Sequence, residues 1–216
     1  MIRFPLLLLD LDGTLLDTRL DLVGSTNHVR AIFGLPPLGV LEVERLVGRG
    51  ARVLVERALG QERADAHDEG VRLFLEHYGE HCLDQTRPYP GMVDVLRALR
   101  ALGARAGVVT NKPEALTRKI LGGLDLLDDM VAVVGGDTFP ERKPHPRGVE
   151  WVLARCDAAR SQTLLVGDSP IDLATARAAG IAFCGVLWGF DPERLCAEEP
   201  ELVARNADEL EAIIRG

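Results

Sequence analysis

Long apolar runs are absent from this sequence, and so are closely spaced cysteine pairs. No stretch reaches the roughly 18 consecutive apolar residues that a membrane-spanning helix needs, so we expect no membrane span. The cysteines show neither a disulfide spacing nor a metal-ligand spacing; they are Cys82, Cys156, Cys184 and Cys196. We therefore expect reduced thiols and a cytoplasmic protein.

A surplus of positive charge is also absent. The net charge is -8, which argues against broad binding to nucleic acid or to an anionic membrane. An anionic substrate would have to be held by a local site and not by the overall field. Hydrophobic residues make up 47% of the 216 residues, so a packed core is expected and wholesale disorder is excluded. We expect a monomer or a homodimer.

Four leucines followed by two acids form the stretch around which the chain is organised. The short apolar run Leu6–Leu9 predicts a buried strand, with Asp10 and Asp12 at its carboxyl end. This run is too short for a secretion signal, and no cleavage site follows it. Ligands bind outside the carboxyl ends of parallel strands, and a buried Asp10 needs a metal, hydrogen bonds or a substrate to compensate its charge. The alternative is a polar turn after a strand.

Residues 16–86 change from a strand pattern to a helical one, with no convincing strand. Apolar residues recur at helical spacing in three segments: Leu20–Phe33, Leu41–Leu59 and Ala64–Cys82. We therefore predict a helical cap over residues 16–86, inserted into a core made of residues 1–15 and 87–216.

Strands and helices alternate after residue 87. The predicted strands are Ala104–Thr110, Met130–Gly135, Thr163–Gly167 and Ile181–Leu187. The predicted helices are Met92–Leu102, Pro113–Leu121, Pro146–Cys156, Ile171–Ala179 and Ala207–Ile214. This alternation makes a parallel sheet covered on both faces. The predicted fold class is α/β, with a Rossmann-like parallel sheet core and an inserted α-helical cap domain.

A hydroxyl group follows the second predicted strand. Thr110 could donate to a phosphate oxygen, and main-chain N–H groups at the start of the next helix suit an anion. The alternative, which this motif alone favours, is that Thr110 or Asn111 caps that helix.

Lysine is scarce in this sequence. The chain has three lysines, Lys112, Lys119 and Lys143, within a total of 25 lysines and arginines. Lys143 lies between a predicted strand and a helix, held extended by Pro144. An exposed loop lysine is the ordinary expectation. However, a chain that uses arginine nearly everywhere else has here the compact point charge that lysine supplies, which favours a functional role.

A second apolar run ends in acid at Asp168. Ser169 and Asp172 fit a capping box, so Asp172 could cap the next helix and still support a metal indirectly. Asp168 has no such local role and is the stronger ligand candidate. Carboxylates together with a phosphate suit Mg²⁺, which Asp10 and Asp168 would hold.

Taken as a set, four motifs resemble those of the haloacid dehalogenase superfamily. They are Asp10-Leu-Asp-Gly-Thr14, Thr110-Asn111, Lys143-Pro144, and Gly167-Asp168-Ser169 through Asp172. The match covers the whole chain in the right order, and the helical insertion lies where this family has its cap domain. The resemblance implies phosphoryl transfer through an aspartyl-phosphate intermediate.

The resemblance also implies a role for each matching residue. Asp10 would be the nucleophile. Asp12 would protonate the leaving alcohol and then activate water, and its presence favours phosphoryl transfer because the dehalogenase branch of the family lacks it. Thr110 and Lys143 would bind and neutralise the phosphoryl group. The resemblance implies this set around Mg²⁺: Asp10, the main-chain carbonyl of Asp12, Asp168, and Asp172 nearby.

Two segments, Leu46–Leu59 and Gly135–Lys143, resemble bacterial phosphoglycolate phosphatases. Gly48 and Gly50 flank Arg49, and could let main-chain amides and a guanidinium approach a small carboxylate, with Asn111 as a further substrate-binding residue. A helix start with solvated arginines is an equally weighted alternative. We hypothesise a small phosphate-ester substrate, 2-phosphoglycolate, that is hydrolysed to glycolate and phosphate.

Other functions stay open at this point. A sugar-phosphate phosphatase or a phosphomutase of the same superfamily would use the same motifs. A phosphonoacetaldehyde hydrolase would need a cap lysine as Schiff-base nucleophile, and Leu16–Thr86 contains no lysine. An inactive sensor of a phosphate ligand on the same scaffold is disfavoured because every matching catalytic position is filled.

Overall fold

Six parallel strands form the sheet at the centre of the fold, and a computed structural model describes residues 2–216 of the chain. In spatial order the strands are β5 (Met130–Val134), β4 (Arg105–Val109), β1 (Leu6–Leu9), β6 (Thr163–Gly167), β7 (Ala182–Val186) and β8 (Leu202–Ala204). Every neighbouring pair is parallel. The predicted α/β class with a parallel, Rossmann-like sheet is confirmed.

Helices cover both faces of this sheet. They are α5 (Met92–Ala101), α6 (Glu114–Gly123), α7 (Arg147–Cys156), α8 (Pro170–Ala179), α9 (Pro192–Ala197) and α10 (Ala207–Arg215). The short elements α9 and β8 are additions to the predicted order. None of the helices in residues 2–216 is long and apolar enough to cross a membrane. The four cysteines are free thiols, three of them buried.

The central strand β1 is apolar on both faces, which explains why it lies at the middle of the sheet. Leu6 and Leu8 belong to one apolar cluster, with α7 and α8, while Leu7 and Leu9 belong to the cluster on the other face. All four leucines are at most 1% exposed. A strand that alternates between two covered faces has no polar side to turn to water. Asp10, the first charged residue after β1, therefore marks the edge at which the strand leaves the core.

Four helices occupy the segment between residues 19 and 81: α1 (Arg19–Ile32), α2 (Val40–Glu44), α3 (Ala51–Leu59) and α4 (His67–His81). The prediction of no strand within residues 16–86 is wrong at its first residues. There β2 (Leu16–Asp17) pairs antiparallel with β3 (Arg87–Pro88), so two short strands lie side by side where the chain enters and leaves the helical segment.

The prediction of a single helix over Leu41–Leu59 is also wrong. The chain leaves helical geometry between α2 and α3, and both Gly48 (φ +107°) and Gly50 (φ +87°) adopt positive φ angles. Residues other than glycine rarely adopt such angles. The helix predicted at Ala64–Cys82 begins later, at His67, after a 3-10 turn over Gln61–Ala66.

Candidate active site

Three buried carboxylates meet at the carboxyl edge of the sheet. Asp10 follows β1, Asp168 follows β6, and Asp172 lies in the first turn of α8. Oxygens of the three side chains lie within 4.8 Å of one another. They converge because β1 and β6 are neighbours in register, with the Asp10 main-chain nitrogen donating to the Val166 carbonyl at 3.0 Å. The structure thus brings together acids that lie far apart in sequence.

Asp168 is held by donors on both sides. The Thr14 hydroxyl donates to one Asp168 oxygen at 3.0 Å, and the main-chain nitrogen of Phe190 donates to the other at 2.8 Å. Gly13 and Gly189 approach this carboxylate so closely that a Cβ atom on either residue would lie 2.2 Å from an atom of Asp168. The orientation of Asp168 is therefore fixed by the protein around it.

The Asp172 carboxylate both caps helix α8 and binds Lys143. It completes the predicted capping box, since its Oδ2 accepts from the Ser169 hydroxyl at 2.5 Å and from the Ser169 main-chain nitrogen at 3.2 Å. Its Oδ1 accepts from the Lys143 ammonium at 2.6 Å. Both oxygens therefore have protein partners already, whereas the same residue still lies within the carboxylate cluster.

Lys143 lies between two acids of the cluster and is 5% exposed. Its Nζ is 2.8 Å from Asp10 Oδ1 and 2.6 Å from Asp172 Oδ1. Burial by itself disfavours the ammonium, but the attraction of Asp10 and Asp172 outweighs it, so the pKa of Lys143 is raised. The expectation of an ordinary exposed loop lysine does not apply here.

With all three acids ionised, the cluster would carry more negative charge than Lys143 can balance. Burial raises the pKa of Asp168 to about 8, and the charges of Asp172 and Asp10 add to the shift. Burial also raises the pKa of Asp10 to about 6, although Lys143 opposes it. Three carboxylates that face one ammonium group offer hard oxygen donors and a local excess of negative charge. This donor set fits a divalent metal ion that prefers oxygen ligands.

The side chain of Asp12 lies outside this cluster and has partners of its own. Its Oδ1 accepts from the Thr18 hydroxyl at 2.7 Å and from Lys112 Nζ at 2.8 Å, and its Oδ2 accepts from the same nitrogen at 3.1 Å. Lys112 also donates to the Tyr78 hydroxyl, at 2.8 Å. Burial disfavours the ammonium of Lys112, but attraction to Asp12 and Tyr78 outweighs this and raises the pKa of Lys112.

Thr110 and Asn111 follow β4 and are both buried. The Thr110 hydroxyl oxygen accepts from the main-chain nitrogen of Lys112 at 3.3 Å. The Asn111 amide donates to the carbonyl oxygens of Gly48, at 2.9 Å, and of Lys143, at 3.1 Å. Neither residue caps the next helix, because the first main-chain nitrogen of α6 donates to the carboxylate of Asp137 at 2.7 Å.

A cavity of about 310 Å³ lies in front of these residues. The core lines it with a set of polar side chains, including Asp10, Asp12, Thr110, Asn111, Lys112 and Asp168. The helical segment lines the facing side with Gly48, Arg49 and Gly50, together with apolar side chains such as Leu54 and Phe74. Every residue predicted for the site except Lys143 and Asp172 is a lining residue, and these two lie behind Asp10.

A family model for haloacid dehalogenase-like hydrolases matches residues 7–186. The chain belongs to this family. Phosphoglycolate phosphatase 1 of Pseudomonas aeruginosa is 38% identical over 220 residues, which cover 96% of this chain and 79% of that protein. The phosphoglycolate phosphatase of Rhodospirillum rubrum is 43% identical over 192 residues, which cover 85% and 80% of the two chains.

Two crystal structures share the fold of this chain. A predicted phosphoglycolate phosphatase from Haemophilus somnus has a crystal structure that matches this chain with a TM-score of 0.92 at 31% identity, over 99% of both chains. A second relative, from Lactobacillus delbrueckii subsp. bulgaricus, matches with a TM-score of 0.89 at 27% identity over the full length of both. The family resemblance carried by the four sequence motifs is therefore confirmed.

Lys112 is the residue of this haloacid dehalogenase-like hydrolase that the sequence motifs missed. It is 6% exposed, lines the cavity and contacts Asp12 directly. The scarcity of lysine, which favours a functional role for Lys143, favours one for Lys112 equally. Lys119, the third lysine, is exposed on α6.

Proposed function

We propose that this protein is a Mg²⁺-dependent phosphomonoesterase that hydrolyses 2-phosphoglycolate to glycolate and phosphate through an aspartyl-phosphate on Asp10. The observation that carries the proposal is the contact of 2.8 Å between Lys143 and Asp10, beside a buried cluster of three carboxylates that opens on a cavity. The names of the relatives support the substrate. The phosphoglycolate phosphatases of Pseudomonas aeruginosa and Rhodospirillum rubrum cover most of the chain.

Asp10 is the nucleophile in this proposal. One of its oxygens forms a bond to phosphorus while the bond from phosphorus to the ester oxygen breaks, and the leaving oxygen takes the proton of Asp12. Asp12 then removes a proton from water, whose oxygen bonds to phosphorus as the bond to Asp10 breaks. Orthophosphate leaves, and Asp10 is regenerated.

The cationic groups of the site allow an anionic nucleophile to approach an anionic ester. Mg²⁺, held by Asp10, Asp168 and the main-chain carbonyl of Asp12, would supply charge neutralisation to the phosphoryl oxygens. Lys143 supplies a fixed positive charge at Asp10, and the Thr110 hydroxyl faces the same cavity as a donor. Asp172 acts mainly by holding Lys143 against Asp10, since both of its oxygens are engaged with Lys143 and Ser169.

The helical segment, residues 16–86, acts as the cap in this proposal. Its Gly48-Arg49-Gly50 stretch lines the side of the cavity that faces the carboxylates, where the substrate carboxylate, joined to phosphorus through one methylene and the ester oxygen, would lie. The Arg49 guanidinium and the main-chain amides beside the glycines are suitable donors for that group. A closed cap would exclude water and admit small esters.

A panel of phosphate monoesters, assayed for released phosphate with and without Mg²⁺, tests the proposal. It should include 2-phosphoglycolate, glycerol phosphate and several hexose phosphates. We expect a kcat/KM for 2-phosphoglycolate that exceeds the others by about tenfold or more, since a matched polar contact is worth at least this factor. We also expect activity to depend on Mg²⁺. Comparable turnover of all esters would contradict the substrate, and an isomerised sugar phosphate as product would show a phosphomutase.

A further inference from the structure

Lys112 makes three polar contacts that join Asp12 to the helical segment. Its Nζ lies 2.8 Å and 3.1 Å from the two carboxylate oxygens of Asp12 and 2.8 Å from the hydroxyl of Tyr78 on α4. The same nitrogen lies 4.4 Å from the centre of the Tyr78 ring, a cation–π distance. Tyr78 is 1% exposed, so the ammonium group is enclosed on that side.

The main chain of Lys112 is anchored as firmly as its side chain. Its nitrogen donates to the Thr110 hydroxyl oxygen at 3.3 Å, and its carbonyl oxygen accepts from the Gly136 nitrogen at 2.8 Å. These bonds attach the residue to the carboxyl ends of β4 and β5. The ammonium group is therefore presented to Asp12 from a fixed base, in contrast to the mobile stem of a surface lysine.

The two oxygens of Asp12 are held unequally. Oδ1 accepts two bonds shorter than 2.9 Å, from Thr18 and Lys112, whereas Oδ2 accepts one longer bond, from Lys112. Asp12 also lines the cavity. A carboxyl group that exchanges a proton with a bound ester needs a fixed orientation and one oxygen that is less firmly bonded than the other, which this pattern provides.

Stability alone is a weak explanation for the pair. The side chains of Lys112 and Asp12 are 4% and 12% exposed, and the cost of desolvating two charges commonly cancels the energy of such a buried pair. Most ion pairs between arginine and an acid in this structure lie on the surface, as those of Arg72 and Arg215 do, and surface pairs contribute little to the stability of the fold.

We propose that Lys112 is a positioning residue that orients the Asp12 carboxyl group for proton transfer to the leaving alcohol and from the attacking water. This inference rests on the proposed function, because Asp12 exchanges protons only in that reaction. Lys112 acts through Asp12 and not on the phosphoryl group. Its loss therefore affects the steps that need a proton and spares a step that needs none.

The leaving group separates these two cases. An alkyl ester such as 2-phosphoglycolate releases a basic alkoxide that needs the Asp12 proton, whereas p-nitrophenyl phosphate releases a stable phenolate that does not. For Lys112→Met we expect kcat on 2-phosphoglycolate to fall by about 10²-fold, the usual size of a general-acid effect, with KM changed little. We expect the first turnover of p-nitrophenyl phosphate to stay fast, so that a burst of one equivalent of nitrophenolate precedes slow turnover.

Matched variants make the result interpretable. Lys119→Met removes an exposed lysine from the same region, and should behave as wild type toward both esters. Lys112→Gln keeps a hydrogen-bond donor on a side chain one bond shorter, and should show the same burst with a smaller loss. It also replaces Lys112→Met if circular dichroism shows that the methionine variant does not fold. An equal loss on both esters without a burst, or no loss, in a folded Lys112 variant would overturn the inference.

Failure of the inference can be told apart from failure of the proposed function. If the wild-type enzyme hydrolyses neither ester with Mg²⁺, the phosphatase assignment fails and the role of Lys112 fails with it. If the wild type is active and the Lys112 variants keep its ratio of alkyl to aryl ester turnover, the phosphatase assignment stands and the positioning role is wrong.

Discussion

The side-chain amide of Asn111 donates to the carbonyl oxygen of Gly48 at 2.9 Å. This bond ties the turn between α2 and α3 to the carboxyl end of β4, on the opposite side of the cavity. The same amide donates to the carbonyl oxygen of Lys143 at 3.1 Å. One side chain thus connects the turn that carries Arg49 with the loop that carries the lysine at Asp10.

Replacement of Asn111 by alanine should weaken substrate binding more than it slows chemistry. The loss of these hydrogen bonds, each worth about 1 kcal/mol, frees the turn over Gly48-Arg49-Gly50, and we expect KM for 2-phosphoglycolate to rise by about tenfold. Hydrogen exchange should show faster exchange of the main-chain amides in residues 46–50.

Asn27→Ala is the matched control for this change. Asn27 makes a similar pair of bonds inside the helical segment, to the nitrogen and the oxygen of Leu38 at 2.8 Å and 2.9 Å. The Asn27→Ala variant should be less stable than wild type, without a comparable rise in KM for 2-phosphoglycolate. If hydrogen exchange and KM are both unchanged in Asn111→Ala, the hydrogen bonds to Gly48 and Lys143 do not fix the position of the turn.

Gly13→Ala should disrupt the site by displacing Asp168. Gly13 has a φ of +82°, and a Cβ atom there would lie 2.2 Å from Asp168 Oδ2. The positive φ costs about 1–2 kcal/mol, and the clash adds about 1–3 kcal/mol. Gly103, with a φ of +91° and open space around it, separates the two effects. Gly103→Ala should show only the strain in a denaturant titration and keep full activity. Equal losses in both variants would argue against a crowded Asp168.

Mg²⁺ should stabilise the protein against heat through Asp168. At about a hundred times its dissociation constant, a ligand that binds only the folded state adds about 2.7 kcal/mol. For a chain of this size that raises the melting temperature by about 5–10 °C. Asp168→Asn should abolish the rise, whereas Asp94→Asn, which changes an exposed acid of α5, should retain it. The readout is a thermal melt in EDTA and in Mg²⁺. A full rise in Asp168→Asn would place the metal elsewhere.

Mild acid should destabilise the helical segment through His77. Burial lowers the pKa of His77 from its ordinary value of 6.5, and His28 and His81 add repulsion, while Glu80 and Asp84 oppose it. Because the pKa is depressed in the folded state, the unfolded chain takes up the proton first. Stability is therefore lost as pH falls below about 6.5.

The melting temperature measured at about pH 7.5 and about pH 5.5 checks this sign. Asp10 and Asp168, whose pKa values are raised in the folded state, act in the opposite direction in both proteins, so the two are compared: any drop in melting temperature between the two pH values should be smaller in His77→Gln than in wild type. His145→Gln, a change at an exposed histidine, should keep the wild-type drop. A drop of wild-type size in His77→Gln would remove His77 as its source.

The parts of the fold that local patterns determine could be predicted from the sequence. The apolar run Leu6–Leu9 needs no partner to be recognised as a buried strand, and the acids after β1 and β6 are found by the same pattern. Parallel strands place their carboxyl ends at one edge, so the meeting of Asp10 and Asp168 follows from topology.

The parts of the structure that depend on contacts between distant residues could not be predicted from the sequence. Apolar residues keep their helical spacing through the turn between α2 and α3, so the sequence pattern does not show that the helix is interrupted there. The interruption lies where Gly50 packs against the main-chain carbonyl of Asn111, and a Cβ atom on Gly50 would be 3.1 Å from that oxygen. The environment of Lys112 is completed by Tyr78, which lies 34 residues earlier in the chain. The strand β8 has three residues, too few for a periodic signal.

The most direct test is to locate the phosphoryl group during turnover. The enzyme is mixed with 2-phosphoglycolate and Mg²⁺, quenched in acid within the first turnover, digested, and analysed by mass spectrometry. We predict one added phosphoryl group on the peptide that contains Asp10, and none in Asp10→Asn, which should fold normally and release no phosphate. A phosphoryl group on another residue, or phosphate release by Asp10→Asn at the wild-type rate, would contradict the account.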